Sequence, residues 1–516
     1  MRLSSGEGLP VAAIAAAAAA MIAPLWCVDI PAMPDFPAHL ASFWLIAGGA
    51  TQSPYYLVHW DAIPNLAFEF LVPILAPALG LSAAIRLLLS VAVAMWVVAP
   101  ALVQRALVGK VSFLSLGAAF FAYNDNFVWG FFNYYFAAGL ALLAFSVWIA
   151  TSARRGHVRN AGFALAVLAI YFCHVFAAAV LLLLIGVFEC ARFFEDKRFD
   201  PKSVVERVVP LILIGLPALL AFLFLKPRGA DSHVLFDLTN SLRDRVEAAV
   251  ALNFDQPGYV AVSALAGFVL FGLWRGWLRI HAPMRFVLAV LTGLTILMPE
   301  EAMGGWGVDL RLPAILGALT FASVSTTLSI RWERALAAAA IIGIDFSVAS
   351  MAGNWRYYEP RFREFRAAIA GLPRGVRMMT VLDGDAIGEA SDQIYWHMAE
   401  FAVIDRDGFS PLLFTTVGQH VVRVRTDALA RISARTAQEG SPPDVTELDD
   451  LAQGLADGDS DIVHVFPYLM HFQCHFDEVA LIHLNGKRSP VPDLLTLRHA
   501  GTFFSLYDID HGGCGT

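Results

Sequence analysis

The sequence predicts a mostly α-helical membrane protein: a polytopic transmembrane bundle of about 10 to 12 helices, followed by a small C-terminal α/β domain. Hydrophobic residues make up 58% of the 516-residue chain and charged residues only 16%, whereas a soluble chain carries about a quarter charged residues. Charges are sparse up to Ala352 and ordinary from Trp355 onward. We therefore divide the chain into a transmembrane domain, 1–352, and a soluble domain, 353–516. The net charge of −8 argues against a nucleic-acid partner.

The apolar segments predict the helix count and the orientation. Because a span needs about 20 apolar residues, segment 111–123 is short, and segment 161–190 is long enough for two helices that turn near His174. Basic and acidic loops alternate in a way that places the tail outside. Before Arg105 this alternation fails, so either 39–50 enters the bilayer or one segment lies along its surface. The alanine-rich N-terminus has no cleavage site and is predicted to be an uncleaved helix. The candidate segments are 9–26, 62–80, 84–104, 111–123, 127–150, 161–190, 208–225, 258–274, 284–298, 313–329 and 335–351.

The loop DIPAMPDFPAHLA (29–41) follows the first predicted helix and presents two aspartates and a histidine, His39. Its three prolines prevent a regular helix and keep the loop extended at the membrane face. An aspartate beside apolar neighbours and lipid can have a raised pKa and act as a base. The alternative is that these residues cap a surface helix that starts near Ala38. We interpret Asp29 as such a capping residue and Asp35 as a functional one.

The segment YNDNFVWGFFNYYFAAG (123–139) concentrates aromatic and amide side chains near the start of a predicted helix. Aromatic residues such as Trp129 collect at bilayer interfaces as anchors, so an aromatic belt is the simplest interpretation. Asn133 needs a hydrogen-bonding partner because it lies inside an apolar helix. That partner is either a neighbouring helix or a bound sugar, and both interpretations stay open. Asp125 is the acidic residue of this segment and a further candidate for binding.

The loop PEEAMGGWGVDLRLP (299–313) places an arginine at the mouth of the next predicted helix. Arg311 is suited to a phosphate because a guanidinium offers fixed charge and forked donors. The alternative is a structural salt bridge between Asp309 and Arg311. His174, in the apolar run YFCHVFA, is either a packed core residue or a functional residue at an outer turn. Both pairs of alternatives stay open.

The tail begins with a predicted helix, NWRYYEPRFREFRAAIAGLP, which Gly371 and Pro373 end. The runs VRMMTVL, DIVHVF, DEVALIHL and TFFSLYDI predict strands of a small α/β domain, and 433–450 is predicted to be an exposed loop. Cys474 and Cys514 could form a disulfide if the tail is extracytoplasmic. The spacing in HFQCHFDE does not fit a structural zinc site, so we predict no metal site.

The order of first helix, acidic outer loop, many helices and outer domain resembles the GT-C superfamily of membrane glycosyltransferases. PDFPAHLA is similar to the first-loop motif of bacterial members, in which an Asp is followed four residues later by His or an acid. WGFFNYYFAAG, the run around His174, GVDLRLP, YWHMAEFAVIDRDGFSPLLF (395–414) and FDEVALIHL also resemble segments of poorly characterised bacterial branches. The resemblance covers nearly the whole chain in layout. The adjacent acid pair and the Lys-Pro-Pro element of better-known branches are absent.

The resemblance implies that a sugar is moved from a polyprenyl-phosphate donor, with inversion, on the extracytoplasmic side of the plasma membrane. It places the catalytic base on Asp35, with His39 beside it. A departing polyprenyl phosphate needs no proton, so one base and one cation, here Arg311, would suffice. We predict no cofactor and leave the need for a divalent metal open. The other predicted substrate-binding residues are Asp309, His174, Asn133, Trp129 and Asp125.

The predicted partners are the polyprenyl-phosphate sugar donor, an envelope glycan, lipid or protein that carries the acceptor hydroxyl, and membrane lipids. The alternative function is a transporter or flippase for lipid-linked saccharides, or a non-catalytic assembly factor for them. A transporter would use charges within the membrane, for which Glu69 and Asp345 are the candidates. Most polar residues lie instead in predicted outer loops, which favours the enzyme.

Overall fold

The computed structural model describes residues 7–152, 156–197, 200–225, 234–236, 242–303, 305–383, 392–434, 441–452, 466–483, 490–512 and 514. The helices are α1 (Gly8–Ile22), α2 (Phe36–Ile46), α3 (Ala67–Leu79), α4 (Leu81–Val108), α5 (Asp125–Trp129), α6 (Phe132–Ala150), α7 (His157–Cys173), α8 (Val175–Asp196), α9 (Pro201–Phe224), α10 (Leu242–Glu247), α11 (Tyr259–Trp274), α12 (Ala282–Leu297), α13 (Leu312–Ser323), α14 (Ile330–Ile369), α15 (Glu400–Arg406), α16 (Asp427–Arg431), α17 (Val445–Ala452) and α18 (Phe472–His475). The strands are β1 (Tyr56–Val58), β2 (Val234–Leu235), β3 (Ala251–Asn253), β4 (Gln256–Pro257), β5 (Leu278–Ile280), β6 (Glu301–Ala302), β7 (Val324–Thr326), β8 (Met378–Leu382), β9 (Val422–Val424), β10 (Glu478–Ile482), β11 (Leu495–Ala500) and β12 (Phe504–Ile509).

Six of the described helices are long and apolar enough to cross a membrane: α1 with the 3₁₀ turn after it, α4, α6, α8, α9 and α14. Five others, α2, α3, α7, α11 and α12, are apolar but have only 10–17 residues. A span that crosses alone needs about 20. The chain is therefore a multi-pass helical membrane protein. The predicted number of membrane helices, about 10 to 12, is reached only if the shorter helices lie in the membrane too.

Three apolar segments differ in form from a single straight span. Segment 161–190 is split as predicted, because His174 has an extended backbone and interrupts it between α7 and α8. The short segment 111–123 forms a 3₁₀ helix, Phe113–Ala122, and not an α-helix that could cross the bilayer. Segment 39–50 contributes to α2, which has 11 residues.

The last membrane helix and the first helix of the tail are continuous. α14 has 40 residues and runs through the change of composition at 352/353. Its C-terminal half buries Trp355, Tyr358 and Phe362 against the rest of the chain. The change from apolar to charged composition therefore occurs within one helix, which joins the membrane part to the tail.

The tail holds a four-stranded sheet in the order β11-β12-β10-β8, in which β10 is parallel to β8 and antiparallel to β12. The runs VRMMTVL, DEVALIHL and TFFSLYDI form β8, β10 and β12, whereas DIVHVF lies outside the described residues except for Phe466. The edge strand β11 is not among the predicted strands because most of it is exposed and polar. The predicted exposed loop 433–450 is wrong in its second half, since Val445 and Leu448 of α17 are buried.

The tail packs onto the membrane domain through a shared hydrophobic core. β1, which follows α2, pairs antiparallel with β9, and Tyr56 lies opposite Val424. The Tyr56 hydroxyl donates to the carbonyl of Ser410 over 2.9 Å. Ala41 of α2 lies in the same hydrophobic cluster as residues of the tail sheet. These contacts hold the tail over α2, at whose N-terminus the predicted base Asp35 lies.

Candidate active site

A cavity of about 600 Å³ lies between the membrane helices and the tail, a size typical of small-molecule sites. Six of the eight predicted site residues line it: Asp35, His39, Trp129, Asn133, His174 and Arg311. The tail contributes a wall that includes Trp396, His397, Phe414 and His420. Asp309 and Asp125 are not among the lining residues. The structure thus brings together residues that are up to 406 positions apart, from Asp35 to Ser441.

Asp35 occupies the N-cap position of α2, where its side chain forms no capping hydrogen bond. Its backbone N–H donates to the carbonyl of Trp129 over 3.0 Å. At Gly130, φ is 100°, and a Cβ built there would lie 3.1 Å from Cβ of Asp35, so a side chain at this position would crowd the aspartate. Burial raises the pKa of Asp35 to about 6, against the opposing effect of His397. The carboxyl is therefore suited to accept a proton near neutral pH.

His397 and Glu400 are site residues that the sequence interpretation did not assign. Nε2 of His397 lies 3.8 Å from Oδ1 of Asp35, and its Nδ1 lies 3.1 Å from Oε1 of Glu400. Both side chains are buried. The signal was present in the segment YWHMAE, where a His and a Glu are three residues apart and so share one face of a helical turn. The contact of His397 with Asp35 depends on how the tail packs against α2, which no local pattern reveals.

His39 lies one turn after Asp35 in α2 and is surrounded by aromatic rings. Its imidazole stacks on Phe132 at 4.6 Å and meets Phe414 edge-on at 5.0 Å. His420, a second histidine that the sequence interpretation did not assign, stacks on the other side of the site against Phe414 at 5.2 Å. Burial, followed by the charge of Arg423, lowers the pKa of His420 to about 3. His420 is therefore a neutral wall residue at physiological pH.

Arg311 presents its guanidinium to the cavity between two aromatic rings. Its Cζ lies 5.3 Å from the ring centroid of Tyr134 and 5.6 Å from that of Phe176. Nη2 donates to the carbonyl of Trp306 over 3.2 Å, while the buried Nε has no hydrogen-bond partner in the described part of the chain. Burial lowers the pKa of Arg311 to about 10, so the group stays charged. Within the described ranges no carboxylate lies within 4.0 Å of it, and its charge is available to an anion.

The predicted salt bridge between Asp309 and Arg311 is not formed. Asp309 pairs instead with Arg245, Oδ2 to Nε, at 3.4 Å, and both side chains are buried. Arg245 also donates to the carbonyls of Thr295 and Ile296 at the end of α12. Asp309 therefore holds the loop before α13 in place rather than facing the cavity, and this explains why it is not among the lining residues.

Asp125 lies in the first turn of α5, away from the cavity. Its backbone N–H donates to the carbonyl of Ala248. Burial, together with the nearby charge of Glu247, raises the pKa of Asp125 to about 7. Its predicted part in binding is therefore not supported by its position, because other residues of 123–139 line the cavity and Asp125 does not.

Asn133 and His174 line the cavity, but the amide of Asn133 and Nδ1 of His174 are hydrogen bonded within the protein. The amide of Asn133 accepts from the N–H of Phe68 and donates to the carbonyl of Asn65 and to Glu69 over 2.8 Å. This is the helix–helix hydrogen bond that the sequence left open. Nδ1 of His174 accepts the N–H of Phe176 and caps α8, and burial lowers the pKa of His174 well below its ordinary value.

Three tryptophans form one side of the cavity. The ring of Trp129 meets Trp306 at 4.9 Å and Trp396 at 6.0 Å, both at 63°. Nε1 of Trp306 donates to Glu300 over 2.9 Å. Nε1 of Trp396 is buried and has no hydrogen-bond partner among the described residues. The cluster offers broad apolar faces and this buried donor, an arrangement that suits a ligand with both carbon–hydrogen faces and hydroxyls.

In the described part of the chain, no three His, Cys, Asp or Glu side chains converge closely enough to hold a metal ion. No protein-family model matches the chain, and no curated protein matches it. Among solved structures, the chain is similar to the crystal structure of ArnT from Cupriavidus metallidurans bound to undecaprenyl phosphate, with 11% identity, over 97% of this chain and 98% of that one, at a TM-score of 0.49.

Proposed function

We propose that the protein is an inverting glycosyltransferase that moves a sugar from a polyprenyl-phosphate donor to an acceptor hydroxyl on the extracytoplasmic side of the membrane. The observation that carries the proposal is one cavity that holds both the carboxyl of Asp35, whose side chain is only 17% exposed, and an arginine, Arg311, that has no carboxylate partner among the described residues. The first is suited to take a proton and the second to hold a phosphate. These are the two groups that the transfer requires.

The reaction is a single displacement. Asp35 takes the proton of the acceptor hydroxyl while the acceptor oxygen forms a bond to the anomeric carbon of the sugar. The bond from that carbon to the phosphate oxygen breaks on the opposite face, and the phosphate leaves with the electron pair. Because attack and departure occur on opposite faces, the anomeric configuration inverts. Arg311 stabilises the charge that builds on the phosphate, so no general acid is needed.

The tryptophan cluster and the membrane helices support the choice of substrate class. Trp129, Trp306 and Trp396 offer flat apolar faces to a sugar ring. Arg311 lies beside Phe176, in the first turn of the long apolar helix α8. A phosphate held there would keep its lipid chain close to the bilayer, as a polyprenyl-phosphate donor requires.

A disulfide between Cys474 and Cys514 supports the extracytoplasmic side. Disulfides persist in oxidising compartments and are rare in the cytoplasm. Both cysteines belong to the tail that forms one wall of the cavity. The active site and the tail therefore face the same compartment.

The transporter alternative finds no support in the two membrane carboxylates that it would use. Glu69 is hydrogen bonded to Asn133, and Asp345 lies on the exposed face of α14. Neither is a lining residue of the cavity.

The proposal is tested by replacing Asp35 with asparagine in an assay of sugar transfer from a polyprenyl-phosphate donor. Asp35→Asn keeps the shape of the side chain and removes the base, so transfer should fall by about two to four orders of magnitude. The matched control is Asp29→Asn, six residues earlier, whose carboxylate is 83% exposed and 3.8 Å from Arg86. A folded Asp35→Asn protein with wild-type transfer would overturn the proposal.

A further inference from the structure

His397 and Glu400 reach the proposed base from the tail, and the reaction described above gives them no role. The imidazole stands between two carboxyl groups, with Nε2 3.8 Å from Asp35 and Nδ1 3.1 Å from Glu400. Only 4% of the His397 side chain and none of the Glu400 side chain is exposed. Burying a charged ring between two acids carries a cost in desolvation free energy. Such an arrangement therefore suggests that the charge and the position of His397 serve a purpose.

The groups that face His397 come from three parts of the chain. Asp35 lies at the start of α2 and Glu400 at the start of α15. His39, also in α2, is the other titratable group whose charge interacts with His397. Phe414 closes the remaining side, with its ring 5.2 Å away. Burial by itself lowers the pKa of His397, but Glu400 first and Asp35 second raise it above its ordinary value. The ring therefore favours the imidazolium form.

We propose that His397, held in place by Glu400, is a positioning residue for the base Asp35. Its positive charge keeps the Asp35 carboxyl ionised inside a buried cavity and fixes the direction in which that carboxyl points. The inference rests on the proposed function, because it assigns His397 a task only if Asp35 is the base. His397 does not contact the substrate in this account.

The role of Glu400 follows from its hydrogen bond to Nδ1. Glu400 orients the ring so that Nε2 points at Asp35, and its negative charge favours the protonated ring. Its Oε2 is buried and has no hydrogen-bond partner within the described ranges, so the charge of Glu400 itself depends on the imidazolium for compensation. Loss of Glu400 should therefore act on Asp35 through His397, in the same direction as loss of His397 but more weakly.

The test is the pH dependence of kcat/KM for transfer in the full-length protein. The variant His397→Gln reaches the same point in the cavity without charge. The acid limb of its pH profile, which is the range where kcat/KM rises with pH, should move to higher pH by about one to two units. A shift of this size is expected when a carboxylate loses a positive neighbour at this distance. Glu400→Gln should move the limb in the same direction by less. His420→Gln is the matched control, since it removes another cavity histidine, partly buried, that has no carboxylate within 4.0 Å among the described residues. Its acid limb should stay in place.

An acid limb that stays at the wild-type pH in a folded, active His397→Gln protein would overturn the inference. So would a folded protein that is inactive at every pH, because loss of a residue that only positions and charges Asp35 leaves a lowered but measurable transfer above the shifted limb. If His397→Gln does not fold, the acid limb of Glu400→Gln is the test. A shift to higher pH supports the inference, and an unchanged limb in a folded Glu400→Gln protein overturns it. Failure here is distinct from failure of the proposed function, which is signalled by full activity of Asp35→Asn.

Discussion

Asp309 forms its ion pair with Arg245, at 3.4 Å, and not with Arg311 two residues along the chain. The pair fixes the loop that precedes α13. Arg311 is thereby left to face the cavity, supported by Tyr134, whose hydroxyl donates to the Arg311 carbonyl over 2.6 Å. One loop therefore supplies a structural acid and, beside it, the cation that we assign to the donor phosphate.

Replacing Arg311 should impair binding and departure of the phosphate. Arg311→Gln removes a charged donor from the developing negative charge, so kcat should fall by about a hundred- to a thousandfold. Arg311→Lys keeps the charge but loses the forked geometry, and its loss should be smaller, about tenfold. Steady-state kinetics with the polyprenyl-phosphate donor measure both. Equal activity of Arg311→Gln and wild type would show that the phosphate is held elsewhere.

Asp309→Asn should reduce stability rather than catalysis directly. It leaves the charge of Arg245 buried without its acidic partner, a change that costs about 3–5 kcal/mol in comparable buried pairs. Thermal unfolding of the protein in detergent measures the effect. The double variant Asp309→Leu with Arg245→Met, which removes both charges, should recover much of the loss. A single variant that unfolds at the wild-type temperature would contradict a structural role for this pair.

The sequence predicted the membrane bundle, three of the four strands of the tail sheet and six residues that line the cavity, because apolar length and local motifs encode them. Asp35 stands out by its proline-rich loop, and Arg311 by its place at a helix mouth. The partners were less predictable. Whether Asp309 pairs with Arg311 or with Arg245 depends on the packing of α10 and α12. His397 joins the site only because α15 packs against α2, a contact between residues more than 350 positions apart.

Transfer should depend on pH through Asp35. Only the carboxylate accepts a proton, and burial raises its pKa to about 6, so the rate should rise with pH through about 6 and then level off. Stability should change in the opposite sense. A carboxyl whose folded pKa is raised contributes stability that is fully present below its unfolded pKa, 3.8, and is lost as the pH rises through about 6.

Asp35→Asn therefore separates the two effects. Above pH 6 the Asp35→Asn protein should unfold at a higher temperature than wild type, because asparagine buries no charge. At low pH, where Asp35 is protonated, the two unfolding temperatures should be equal. Parallel pH series of transfer rate and thermal unfolding provide the measurement. A wild-type rate that is constant from pH 5 to pH 8 would exclude Asp35 as the titrating base.

The orientation of the tail is testable with reporters that are active only outside the cytoplasm. A fusion after Gly371, beyond the end of α14, should be active, and a fusion after Lys197, between α8 and α9, should not. The fusion point must follow α14 because that helix continues to Ile369. The reverse pattern would place the cavity on the cytoplasmic side, where a disulfide such as Cys474–Cys514 is not expected.

The most direct test of the central claim is an experimental structure of the protein with a bound polyprenyl phosphate. We predict phosphate density in the cavity, with phosphate oxygens about 3 Å from the guanidinium nitrogens of Arg311. The carboxyl of Asp35 should face the same space across the sugar position. A phosphate bound outside the cavity, with Arg311 still bonded only to the protein, would contradict the account.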